Sequence, residues 1–92
     1  MRPSYLCYSI DVIYATICKR IEGRGYLIRQ SDDERKELVV TRWFFPFTNR
    51  KFNIKVISVN EAVSNISVQE LERRDIHSDH AGHLGDLLVA LF

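Results

Sequence analysis

The chain has 92 residues, 46% apolar and 27% charged, with 13 Lys and Arg against 12 Asp and Glu and a net charge of +1. That balance is ordinary for a globular domain. It excludes an acidic disordered chain, a basic nucleic-acid tail, a collagen-like repeat and a disulfide scaffold. A domain this small buries roughly two thirds of its unfolded surface, so few large apolar side chains are spared from the core.

In chain order, Tyr5-Leu6-Cys7-Tyr8 suits an extra edge strand within 3–8. Residues 9–22 read as a helix, because Ile10, Ile13, Ile17 and Ile21 recur at helical spacing. Ser9 or Asp11 can cap its start, and Lys19 and Arg20 suit the negative end of the helix dipole. Gly23 and Gly25 are expected to stop it in a left-handed turn. A strand over 26–30, a turn at Ser31-Asp32-Asp33-Glu34 and a strand over 36–45 form a hairpin. Leu38 and Val40 alternate with Val39 and Thr41, so the second strand has apolar groups on both faces and belongs inside a sheet.

Pro46 marks a break, since proline cannot donate to a ladder. Thr48-Asn49-Arg50-Lys51 reads as a polar turn. Strands over 52–59 and 63–72 follow, joined by a turn at Asn60-Glu61-Ala62. Phe52, Ile54 and Val56 share one face of the former, and Ile66 and Val68 share one face of the latter. A polar connector over 73–79 leads to a closing helix capped by Ser78 or Asp79, with the stripe Leu84, Leu87, Leu88 and Leu91. The order is (β)-α-β-β-β-β-α. It predicts one α+β domain over 1–92, a two-layer sandwich with an antiparallel sheet of four or five strands and both helices on one face.

Three segments carry a resemblance: Ser9-Ile10-Asp11-Val12-Ile13-Tyr14, Gly23-Arg24-Gly25-Tyr26, and the run from Asp32 to Trp43. Over 9–72 the pattern resembles small bacterial α+β domains of uncharacterised proteins and cell-envelope lipoproteins. In these a helix and a Gly-Tyr pair lead into antiparallel strands and a closing helix. The resemblance implies the fold and brings no functional motif, and fold alone does not transfer function.

Two features are candidates for function. Trp43, Phe44, Phe45, Phe47 and Phe52 are five of the ten Trp, Phe and Tyr residues. Alternation cannot place all of them on one face, so either Pro46 bends the chain to bury the rest or a partner covers them. Aromatic residues flanked by arginine dominate binding hot spots. Arg42, Trp43, Phe45, Phe47 and Arg50 are therefore the candidate interaction residues, for another protein or a second copy of the chain. The same residues could stack on a single-stranded nucleic acid and meet its phosphates with Arg42, Arg50 and Lys51. The near-zero net charge speaks against that reading.

The second feature is His77, His80 and His83, all the histidines of the chain within seven positions. Imidazole is a common ligand of zinc and other divalent transition metals, and Asp79 could ligate or orient a ring. The spacing matches no established metal motif, and a polar helix start is the plainer reading. The same cluster could respond to pH. A Cys7 or Cys18 paired with one of these histidines would make a nucleophile. Buried, inert thiols are the commoner case, and no cofactor motif is present. The acidic turn Asp32-Asp33-Glu34 lacks the order of a calcium loop.

No apolar run near Met1 is long enough for a leader, and none approaches the ~20 residues that span a bilayer. The sequence thus leads to a cytoplasmic, non-catalytic interaction module with reduced thiols, a metal-binding protein being the alternative.

Overall fold

The computed structural model describes residues 5–44, 48–71 and 80–92, with backbone alone at 43, 44, 48, 49 and 80. The elements are β1 (Tyr5–Leu6), α1 (Ile10–Arg20), a 3-10 turn (Glu22–Arg24), β2 (Leu27–Asp32), β3 (Glu37–Phe44), β4 (Thr48–Asn60), β5 (Val63–Leu71) and α2 (His80–Val89). Five antiparallel strands form one sheet in the order β1-β5-β4-β3-β2. Strands β2 to β5 are a meander. The expected edge strand exists as β1, which crosses the molecule to pair with β5.

Helix α1 forms as its pattern demands. Ser9 Oγ accepts the Val12 N–H at 3.4 Å, and Ile13, Ile17 and Ile21 are wholly buried. Its end differs from expectation. Ile21 stays in helical conformation and a 3-10 turn follows. Only Gly25 adopts the left-handed conformation (φ 94°), as the cap of that turn. The Arg24 N–H donates to the Ile21 carbonyl and the Gly25 N–H to the Glu22 carbonyl, so a tightened turn continues through Gly23, where a left-handed stop was expected.

The β2–β3 turn falls at residues 33–36, two beyond the expected position. Asp32 Oδ1 accepts the N–H groups of Glu34 and Arg35 at 3.1 and 3.0 Å, which closes the reversal. Residues 48–51 are strand and not turn. Thr48, Asn49, Arg50 and Lys51 pair with Phe44, Trp43, Arg42 and Thr41. Pairing in register overrides their turn-like composition.

One core lies between the sheet and both helices. Leu38 and Val40 of β3, Phe52, Ile54 and Val56 of β4 and Ile66 of β5 meet Ile13 and Ile17 of α1 and Leu84 and Leu88 of α2. The Tyr26 and Phe52 rings pack edge to face, with centroids 6.0 Å apart. Helix α2 contains Gly82 and Gly85, each unfavourable by ~1 kcal/mol relative to alanine. Its buried leucines, rather than its propensity, hold it on the sheet. This is the two-layer α+β architecture, with both helices on one face.

Candidate interaction surface

The strand register defines the opposite face. Side chains alternate along a strand, so residues paired across Val39, Asn53 and Ile57 share the side away from the helices. Three rows cross this face. Leu27, Thr41, Lys51 and Leu71 form the first, Gln30, Val39, Asn53 and Gln69 the second, and Asp32, Glu37, Lys55 and Ser67 the third. Beyond them Ile57, Asn65 and Tyr5 align on β4, β5 and β1. No helix or strand among the described residues covers this face.

Its chemistry is graded. Tyr5, Ile57 and Val59 are exposed at the β1 end, with Tyr5 64% accessible. Leu27 is half exposed at the other end. The middle is polar. Lys55 Nζ lies 3.6 Å from Glu37 Oε1, and Arg29 Nε donates to Thr41 Oγ1 at 3.0 Å. At the β2–β3 turn the face hollows into a depression of about 510 Å³. Gln30, Val39 and Asn53 line it together with the acidic side chains of Asp32, Asp33, Glu34 and Glu37.

The sequence-predicted interaction residues divide. Arg42 and Arg50 are cross-strand partners on the helix-covered side. The Arg42 guanidinium lies 5.1 Å from the centre of the Tyr26 ring. Arg50 Nη1 donates to Glu70 Oε1 at 2.9 Å in an ion pair almost closed to solvent. Both arginines are used within the domain, holding the far end of the core. Trp43 pairs with Asn49 through its backbone in β3, while its side chain, Phe45 and Phe47 lie outside the described residues.

His80 opens α2, and its side chain is not among those described. His83 is exposed on the same helix, and His77 and Asp79 lie outside the described residues. Among the described residues no three His, Cys, Asp or Glu side chains gather as a metal site. Both cysteines are free. Cys7 is exposed, contrary to its expected burial, because it follows the inward-facing Leu6 as the chain leaves the sheet. Cys18 packs against the core, and burial pushes its thiol up, the opposite of an activated nucleophile.

The exposed apolar groups Tyr5, Leu27, Ile57 and Val59 were missed by attention to aromatic density. Their signal was present in β4, where Ile57 and Val59 extend apolar character onto the face opposite Ile54 and Val56. No helix among the described residues is long and apolar enough to cross a membrane. Comparison with protein-family models and with curated protein sequences found no match to either.

Proposed function

We propose that this chain is a non-catalytic binding domain of the cytoplasm that contacts protein, either another chain or its own copy, through the helix-free face of its sheet. The observation that carries this reading is the sheet face itself, uncovered among the described residues and apolar at both ends. A small domain has little apolar surface to spare, and exposed apolar groups clustered on one face mark an interaction site. The end of the sheet where Phe44 pairs with Thr48 belongs to the proposed contact, with Trp43, Phe45 and Phe47 included by their place in the sequence. Arg42 and Arg50 position that end by holding it against Tyr26 and Glu70. The two free thiols fit a reducing compartment.

A photo-crosslinking amino acid placed at Ile57 or Val39 tests the reading, with Ala15 on the exposed side of α1 as control. Adducts from the sheet positions and none from Ala15 are expected in the native host. Adducts confined to Ala15, or none from the sheet, would overturn it.

A further inference from the structure

The helix-free face is suited to a second copy of itself. We infer that two chains pack these faces together about a two-fold axis, which deepens the proposed binding role by naming the partner. Three observations support this, and the inference rests on that role.

The first is area. The 38 strand residues cover roughly 600 Å² in projection, at ~3.3 Å per residue and ~4.8 Å between strands. Protruding side chains raise the accessible area above this projection. A stable interface takes about 800 Å² from each partner, so the whole face, and not only its apolar end, is the right size.

The second is complementarity under the rotation. An axis lying in the face, across the strands between the Val39/Asn53 row and the Glu37/Lys55 row, reverses strand direction. It carries Leu71 of one copy over Asn65 of the other, between Tyr5 and Ile57, and sets the aliphatic stem of Lys51 over Ile57. The amides of Gln30 and Asn53 come over Asp32 and Lys55, where donors and acceptors match.

The third is charge. Arg29 is exposed on β2, and the rotation brings it toward the acidic turn Asp32–Glu34 of the other copy. The net charge of +1 leaves little overall repulsion between copies.

The test is sedimentation equilibrium of the full chain across a concentration series, with circular dichroism to confirm folding. The wild type is expected to reach twice the 10.8 kDa chain mass. Val39→Glu at the centre and Ile57→Lys, which would face Lys51 of the other copy, are each expected to weaken the dimer by ~10-fold or more. Val12→Asp, on the exposed side of α1, is expected to leave it intact. Arg29→Glu should weaken the dimer, and adding Glu34→Arg in the same chain should restore it, a rescue that loss of folding cannot imitate. A wild type that stays monomeric would overturn the inference, as would a dimer broken by Val12→Asp but indifferent to Val39→Glu and Ile57→Lys. The crosslinker at Ile57 separates the two claims. A monomer that crosslinks there to a different protein defeats self-pairing alone, whereas a monomer with no crosslink defeats the binding role as well.

Discussion

The Lys36 ammonium lies 5.3 Å from the centre of the Tyr14 ring, bridging the β2–β3 turn to helix α1. The same nitrogen is 3.1 Å from Asp11 Oδ1, and the Lys36 carbonyl accepts the Val56 N–H at 3.0 Å. Lys36 is also the one non-glycine residue with positive φ, at 55°, among the described residues. A strained backbone position is thus occupied by a residue whose side chain makes two contacts with a helix. Two variants follow from this geometry.

Lys36→Ala keeps the unfavourable backbone and loses both contacts, whereas Lys36→Gly relieves the backbone while losing the same contacts. The two should differ in stability by about 1 kcal/mol in favour of glycine. Urea unfolding of both variants measures the difference. Equal midpoints would show that the left-handed conformation carries no cost here.

Tyr14 makes alkaline stability pH-dependent. Burial, with the Asp33 carboxylate nearby, pushes its hydroxyl well above the ordinary tyrosine value of 10.0. The unfolded chain therefore releases this proton first as pH rises. The stabilising contribution is complete below about pH 10 and is lost progressively above it. Burial of the Cys18 thiol acts in the same direction. Tyr14→Phe should flatten the decline in stability above pH 10, read from unfolding curves at several alkaline pH values. An unchanged slope would remove Tyr14 as its source.

Arg50 and Glu70 behave as a nearly buried pair, with side chains 14% and 4% exposed. Truncating Glu70 to Ala removes this carboxylate from a nearly buried guanidinium and should cost about 3–5 kcal/mol. Replacing both, Arg50→Met with Glu70→Leu, should cost much less than the two single changes together. A double-mutant cycle in urea decides the point, and strict additivity would show that the pair is not coupled.

Phe52 is wholly buried on the central strand against Tyr26. Phe52→Ala should lose about 3–5 kcal/mol, since the ring's transfer energy goes and a cavity remains. Thermal unfolding compared with Val59→Ala, an exposed position on the same strand, provides the contrast. Similar losses at the two sites would contradict the assignment of faces.

The elements legible in the sequence were those with a strong period. Ile13, Ile17 and Ile21 announced α1, and Phe52, Ile54 and Val56 announced the inner face of β4. Thr48–Lys51 misled because composition is a local signal, while their strand conformation comes from pairing with Thr41–Phe44. Gly23 and Gly25 looked equivalent, yet hydrogen bonding within the 3-10 turn calls for left-handed backbone only at Gly25. The candidate surface was harder to see. Arg42 and Arg50 flank an aromatic run, but alternation places them on the side of Tyr26 and Glu70. Tyr5, Asn65 and Ile57 meet only through the sheet, so no local window could join them.

The pairing of β1 with β5 also sets an order of assembly. The ladders from β2 to β5 join neighbours in sequence and form by closing short loops, which is entropically cheap. The two-residue β1 instead waits for a partner that lies most of the chain away, and the Ser64 hydroxyl that donates to the Tyr8 carbonyl is 56 positions from it. The meander can therefore condense before the amino-terminal strand docks. That strand, having the shortest ladder, is the part of the sheet that opens at least cost afterwards.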